Sequence, residues 1–417
     1  MSSGLPDIKP VTPVTVFDRS RLAAIEGRFK ISEVAPVVGM SKTFIRKVTG
    51  KSDNLGAADI LNLLDQDSFS ETFVPRSKVL DLLVERRSPA AAPISSSLPS
   101  GKEGWNLERG NALELLRSLP SESVQCVVTS TPYWALRIYK DSTPVEWADG
   151  SVAAYGHEQT PEEFIRHTAE ILHELNRVLA PNGSIWWNVM DSFNTRTQIR
   201  GNAAEALKAM QGRDTRSWSQ HECRRYSAGH SYLKDGEQCL IPSRIAERAS
   251  RMGFFVKTMI TWAKRSTLPE PQSSRVSKNL EYIIHLTKVR TPQFFKEPYR
   301  ALPADLGGRN NGWETDKLSD VWTLPTSSGR DGHGAQFPLA LPARCIALST
   351  QEDEVVLDPF VGSGNSGLAA LALKRRFVGI DISEQYLALA RKRLSEQQTL
   401  TGGGRPQRKP PRATKTG

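Results

Sequence analysis

Along this chain, short apolar runs alternate with segments whose apolar residues recur every three or four positions. VQCVVTS, SIWWNVM, EVVLDPF and RFVGIDI are bounded apolar runs that predict strands, whereas PEEFIRHTAEILHELNRVL carries the spacing of an amphipathic helix. A further helical run follows EVVLDPF. Strand and helix in alternation predict an α/β domain built on a mixed, mostly parallel sheet.

The first part of the chain reads differently. ISEVAPVVGMSKTFIRKV places Ala35, Gly39 and Ile45 at the spacing of a helix-turn-helix. The small residue lets two helices approach, the glycine makes the turn, and Ile45 anchors the second helix. Lys42, Arg46, Lys47 and Lys51 lie on or just after that helix with no acid among them. They are candidate DNA contacts, or the solvated face of an ordinary helical bundle. Residues 1–86 are therefore expected to form a small all-α unit. The Pro-, Ser- and Ala-rich stretch 87–104 has little to bury and reads as a linker, and residues 105–395 as the α/β domain. Residues 396–417 end in TGGGRPQRKPPRATKTG, whose glycines, prolines and purely basic charge predict a disordered tail facing DNA.

Composition narrows the class. The 417 residues are 38% hydrophobic, enough for a sizeable core, and no run approaches the length of a membrane span. The polar start MSSGLPDIKP lacks the apolar core of a secretory signal, so a cytoplasmic protein that avoids membranes is expected. A formal charge of +10 and a pI near 9.4 favour a polyanionic partner. Cys126, Cys223, Cys239 and Cys345 are scattered, with no C-x-x-C pair and no neighbouring His cluster, so they read as reduced and no metal site is expected.

Two segments carry candidate chemistry. In EVVLDPFVGSGNSG an apolar strand ends at Asp358 and passes through Gly362 and Gly364 into a helix, a layout that lets a ligand approach the backbone. Asp381, at the end of the strand RFVGI, suits a ribose diol. The pattern is F-x-G-x-G and not G-x-G-x-x-G, which favours the nucleoside and amino-acid ends of S-adenosylmethionine over a pyrophosphate.

In the second segment a strand ends in the loop Ser130-Thr131-Pro132-Tyr133. An exocyclic amino nitrogen on a base is a poor nucleophile because its lone pair is delocalised into the ring. Acceptors that draw its hydrogens out of plane restore it, and the Ser130 hydroxyl and Thr131 carbonyl are candidates to supply them, although S-T-P-Y standing alone reads as a surface turn with a buried Tyr. Tyr133 is suited to stack on a flipped base, a contact of roughly 1–3 kcal/mol that offsets the few kcal/mol of unstacking. Pro132 stiffens the loop.

With the S-T-P-Y loop upstream of the F-x-G-x-G loop, the chain resembles the β-group of DNA amino methyltransferases, in which S-P-P-Y or D-P-P-Y precedes the cofactor loop. The resemblance runs from about Trp105 to Leu394 through TSTPYWALRIY, GHEQTPEEFI, WAKRSTLPEPQSSRVSKNLEYIIHLTK and VWTLPTSSGRDGHGAQFPLALPARCI. It implies a Rossmann-like methyltransferase fold, S-adenosylmethionine as cofactor and double-stranded DNA as substrate. Carried over by position, Ser130, Thr131, Pro132 and Tyr133 form the catalytic loop. Asp358, Phe360, Gly362 and Gly364 line the cofactor and Asp381 holds its ribose. His333, Phe337 and Pro338 serve the methionine end, and Asn111 stands where the family often has an Asp facing the adenine.

Thr131 replaces the first proline of S-P-P-Y, which keeps the carbonyl and loses rigidity. Ala135 and Ile138 replace the Gly and Asp of the related loop G-L-R-D-Y. Serine at the first catalytic position usually accompanies cytosine N4 in this family and aspartate adenine N6. A site-specific N4-cytosine enzyme is therefore the first expectation, N6-adenine the second, and a DNA-binding regulator with an inactive methyltransferase domain a third from another class. No cysteine follows a proline, which excludes the covalent route of cytosine C5 enzymes. Residues 290–318 fall where the family places target recognition. The basic stretch Asn194 to Asp235, with Arg224 and Arg225, reads either as a segment that touches phosphate or closes over DNA or as a solvated, partly disordered loop. Asp191 reads either as pocket lining or as a helix N-cap. A cognate restriction endonuclease acting separately, and a monomer or dimer, complete the expectations.

Overall fold

The structure is a computed structural model that describes residues 28–85, 98–99, 104–134, 142–194, 197–199, 224–226, 232–234, 236–264, 274–308, 318–326 and 337–402. The chain opens with β1 (Phe29–Lys30), α1 (Ile31–Val38), α2 (Lys42–Thr49), β2 (Asn54–Leu55), α3 (Ala57–Leu64) and α4 (Val79–Glu85). There follow β3 (Trp105–Arg109), α5 (Ala112–Ser118), β4 (Val124–Ser130), β5 (Val145–Glu146), β6 (Val152–Ala153), α6 (Pro161–Val178) and β7 (Leu179–Val189). Next come β8 (Thr197–Ile199), β9 (Arg224–Tyr226), α7 (Ile241–Arg251), β10 (Phe255–Ala263), β11 (Leu280–Thr287), α8 (Lys296–Arg300) and β12 (Val321–Trp322). The chain closes with α9 (Ala340–Ser349), β13 (Val355–Asp358), α10 (Asn365–Ala372), β14 (Arg376–Asp381) and α11 (Glu384–Gly402).

Eight strands form one sheet in the order β12-β10-β11-β7-β4-β13-β14-β3. Only β11 runs antiparallel to its neighbours β10 and β7; the remaining pairs are parallel. The expected mixed, mostly parallel sheet is therefore present. Alternate residues of each strand face opposite layers, as the period of two requires. Val127, Ile185, Trp187 and Leu357 join one apolar cluster with α5, α6 and α7, while Cys126, Val128, Trp186 and Val356 join another with α8 to α11.

Local chemistry explains where the helices begin. Thr160 accepts from the Glu163 amide at 3.1 Å and the Glu163 carboxylate accepts from the Thr160 amide, a reciprocal cap that starts α6 with Pro161 in its first turn. At the far end of the chain α11 continues to Gly402, so the residues expected to begin a tail at 396 are helical. Ser395 to Leu400 contains no glycine or proline to break the helix. Residues 403–417 lie outside the described part.

In the N-terminal unit, Gly39 (φ +67°) turns α1 into α2, and Ala35 and Ile45 are buried as the spacing requires. A Cβ at Gly39 would stand 2.6 Å from the Ser70 carbonyl, so the turn needs glycine. The unit is not purely helical, because β1 and β2 pair antiparallel within it. Nor does it stand apart: its core is continuous with that of α6 and α7. Arg166 pairs with Glu71 at 3.1 Å, and Arg248 reaches both Glu162 (2.8 Å) and the Thr72 carbonyl. The expected linker, 87–104, falls almost wholly outside the described residues.

Candidate active site

From β4 the chain crosses through α6 to one side of the sheet, and from β13 it crosses through α10 to the other. The two strands are neighbours, so the loops at their carboxyl ends diverge and leave a crevice between them. Thr129, the penultimate residue of β4, donates its hydroxyl to Asp358 at the end of β13 over 2.6 Å. Asp358 is buried, and it also accepts from Ser366 (2.5 Å) and from the Phe360 amide (3.0 Å). Burial pushes its pKa up to about 6 despite those hydrogen bonds. Its carboxylate braces the loop from beneath.

That loop turns on Gly362 (φ +51°) and Gly364 (φ +89°). A Cβ at Gly364 would stand 3.1 Å from that of Ala390, whereas at Gly362 nothing lies within 4 Å. The open side of Gly362 is space that a ligand can fill against bare backbone. Asp381 accepts from the Gly362 amide (2.8 Å) and the Ser383 amide (2.9 Å), and its carbonyl accepts from Gly110. The neighbouring Asn111 caps α5 by accepting from the Leu113 amide at 2.9 Å. Phe360 stacks on Tyr155 with ring centres 5.3 Å apart and meets Trp187 edge-on. Asn365 donates to the Phe337 carbonyl at 2.8 Å, tying the buried Phe337 and Pro338 to this loop. Arg393 clasps Ser363 and Asn365 from α11. The cofactor candidates Asn111, Phe337, Pro338, Asp358, Phe360, Gly362, Gly364 and Asp381 thus gather at one end of the sheet; His333 lies outside the described residues.

Beside them, four adjacent strands each contribute one polar side chain under the Ser130 loop: Ser130 from β4, Asn188 from β7, Glu281 from β11, and Lys264 from the residue after β10. Ser130 Oγ is 3.1 Å from the Tyr133 hydroxyl. Asn188 Nδ2 donates toward Ser130 Oγ (3.2 Å), Tyr133 OH (2.8 Å) and Glu281 Oε2 (2.7 Å). The Tyr133 hydroxyl donates to Glu281, whose other oxygen pairs with Lys264. Glu281 is only 4% exposed. Asn188, Glu281 and Lys264 were not singled out from the sequence; a lone acid in the apolar strand LEYIIHLT is the signal that marks Glu281.

The rest of the loop rests on the turn 154–158. Thr131 is buried and its amide donates to the Asn188 carbonyl. Gly156 (φ +86°) backs Pro132 so closely that a Cβ there would be 3.0 Å from the proline's, and Trp134 donates to the Glu158 carbonyl at 3.1 Å. His167 clamps this turn. Its Nδ1 is 2.9 Å from Glu158, its Nε2 meets Ser151 (2.9 Å) and Asp149 (3.6 Å), and Trp147 stacks on its ring at 4.1 Å. Burial pulls the imidazole down, but the bonds to Asp149 and Glu158 outweigh it and hold its pKa at about 8. Asp149 in turn lies well below the usual carboxylate range, its bonds to His167 and Ser151 overcoming burial.

Asp191 resolves between its two readings. It accepts from the Leu240 and Ile241 amides at 3.1 and 2.9 Å, so it caps α7 from across the chain. Lys42, Arg46 and Lys47 are exposed on α2, and Arg46 also donates to the Ser52 carbonyl. Arg224 and Arg225 lie on β9, which pairs with β8, while the other arginines of that basic stretch fall outside the described residues. In the expected target-recognition region, the described residues 290–308 bury Tyr299, Leu302 and Leu306 against α9 and β12. Arg344 donates to the Gly307 carbonyl there at 2.9 Å. Among the described residues, no cluster of His, Cys, Asp or Glu is placed to hold a metal ion, and no helix is long and apolar enough to cross a membrane.

A family model described as DNA methylase matches residues 124–392. The Type II methyltransferase M.XycI of Xanthomonas campestris pv. cyanopsidis is 33% identical over 302 residues, covering 71% of this chain and 89% of that protein. M.Cfr9I of Citrobacter freundii, also a Type II methyltransferase, is 31% identical over 311 residues, covering 73% and 93%. Among solved structures, the cytosine-N4-specific PvuII DNA methyltransferase aligns over 71% of this chain and 92% of its own with a TM-score of 0.47 and 18% identity.

Proposed function

Because the chain belongs to the DNA methylase family, we propose that it is an S-adenosylmethionine-dependent enzyme that methylates an exocyclic amino group in double-stranded DNA, and that this group is N4 of cytosine. The observation that carries the proposal is the junction of the two loops: the Thr129–Asp358 bond fixes the Ser130 loop beside the open Gly362 loop in one crevice. A nucleophile held by the first then lies next to a methyl donor held by the second.

The cofactor would lie along the backbone at Gly362 and Gly364. Asp381 would take the ribose diol, since a carboxylate accepts about four hydrogen bonds in all. Asn111 stands close by for the adenine, and Phe337 and Pro338 close the methionine end. When bound, S-adenosylmethionine supplies a methyl group activated by its sulfonium charge. The protein's own task is to make the amine nucleophilic. Ser130 Oγ and the Thr131 carbonyl accept its two hydrogens, which pulls the nitrogen lone pair out of conjugation with the ring. The target base must leave the duplex to reach that loop, at a cost of a few kcal/mol.

Serine at position 130 favours cytosine over adenine in the family this chain resembles. The Type II relatives support a role beside a restriction endonuclease acting separately. Lys42, Arg46 and Lys47 of α2, with Arg224 and Arg225, are proposed to contact phosphates. Mass spectrometry of nucleosides from DNA treated with the protein and S-adenosylmethionine tests the reading. N4-methylcytosine is the expected product; N6-methyladenine alone refutes the choice of base, and no methylated nucleoside refutes the activity.

A further inference from the structure

The polar group beneath the Ser130 loop assigns a role to a residue outside the catalytic loop. We propose that Glu281 is a positioning residue that fixes the direction of the hydroxyl hydrogens at Tyr133 and Ser130, so that Ser130 Oγ presents a lone pair and not a hydrogen to the base amine. The inference rests on the methyltransferase reading above.

Hydrogen-bond accounting leads to it. A carboxylate can only accept, so with Lys264 paired at one oxygen, the other must receive the hydrogens of Tyr133 and Asn188. Once the phenol hydrogen points at Glu281, the phenol oxygen is left as an acceptor. Ser130 Oγ, 3.1 Å away, then turns its own hydrogen inward to Tyr133. Asn188 reinforces this sense: its amide nitrogen carries two hydrogens and no acceptor, so with one directed at Glu281 the other is shared between Tyr133 OH at 2.8 Å and Ser130 Oγ at 3.2 Å. The carboxylate thus polarises a chain of donors running from the serine to Glu281. The lone pair remaining on Ser130 Oγ is what an amine hydrogen needs, whereas a hydroxyl turned outward would oppose that hydrogen with its own.

The geometry also redefines Tyr133. Its hydroxyl is held within this chain by Glu281 and Asn188, so a contact with the base would be made by the ring and not by the hydroxyl.

Glu281→Gln tests the assignment, because glutamine keeps the shape but its amide can donate to Tyr133 and reverse the chain. In single-turnover methylation of duplex DNA, the variant is expected to lose about tenfold or more in rate. Its affinity for S-adenosylmethionine and for DNA should stay within about twofold of wild type, a split that mere damage to packing would not give. Tyr133→Phe removes the main link and leaves only the route through Asn188, so Glu281→Gln should cost markedly less in that background than in wild type. A wild-type rate for Glu281→Gln overturns the proposal, as does an equal loss in both backgrounds. Should Glu281→Gln fail to fold, the nearly isosteric Tyr133→Phe decides alone: a wild-type rate overturns the proposal, and a loss of similar size with intact cofactor binding supports it. Failure of the underlying reading is separate, since the wild-type protein would then methylate no DNA.

Discussion

Thr129 and Asp358 are joined by a 2.6 Å hydrogen bond between the ends of two neighbouring parallel strands, and both are buried. The bond couples the loop proposed to hold the base to the loop proposed to hold the cofactor. Thr129→Val keeps the shape and removes the donor, leaving a buried carboxylate short of one partner. It should cost about 1–3 kcal/mol of stability. A fall in melting temperature and weaker cofactor binding by titration calorimetry check this.

Gly362 combines a positive φ with open space on its Cβ side. Gly362→Val should pay roughly 1–2 kcal/mol for the left-handed backbone and place a branched side chain where the cofactor is proposed to lie. Melting should change modestly and S-adenosylmethionine affinity by tenfold or more on the order of a lost binding contact. Unchanged affinity would place the cofactor elsewhere.

Asp381 and Tyr133 belong to different halves of the crevice, and their variants should separate accordingly. Asp381→Ala is expected to weaken cofactor binding first. Tyr133→Ala should cut turnover far more than cofactor binding, and a fully active Tyr133→Ala would remove the loop from the mechanism. Equilibrium binding measured alongside initial rates distinguishes the two.

His167 makes stability depend on pH. Its folded pKa of about 8 lies above the ordinary 6.5, so its contribution is fully present below pH 6.5 and is lost as pH rises through about 8. The shift corresponds to about 2 kcal/mol. Thermal melts from pH 6 to 9 should fall across that window, and His167→Gln should flatten the fall. His285 acts in the opposite sense: burial pulls it down to about 3, so its contribution is lost as pH drops below 6.5.

The exposed cations of α2 are proposed DNA contacts. Replacing Lys42, Arg46 and Lys47 together with Ala should weaken DNA binding at low salt and reduce the slope of log affinity against log salt by about one unit per lost phosphate contact. An unchanged slope would leave α2 as a solvated face. Methylation rates at saturating DNA should be little affected.

Much of this architecture was legible because its causes are local. Apolar runs of four to seven residues became the central strands, and the Thr160–Glu163 cap announced its helix. Gly39 marked a turn that no other residue fits. What escaped notice depends on strand order. Asn188, Lys264 and Glu281 are scattered through the chain and meet Ser130 only because β11 inserts antiparallel between β7 and β10. Asp191 caps a helix that starts 50 residues later, so no local window reveals its partner. The seating of the N-terminal unit likewise rests on a contact between Arg248 and Thr72 across 176 residues. The extension of α11 to Gly402 was missed because basic charge and glycine beyond it dominated the composition of the tail.

Ser130 is the proposed acceptor that activates a cytosine amine. The most direct test is transfer of labelled methyl from S-adenosylmethionine to duplex DNA under single-turnover conditions, by wild type and by Ser130→Ala, with the modified nucleoside identified. Wild type should place label in N4-methylcytosine, and Ser130→Ala should be slower by about 100-fold or more, with cofactor affinity unchanged. Ser130→Ala methylating at the wild-type rate, or label found only in another nucleoside, would contradict the proposal.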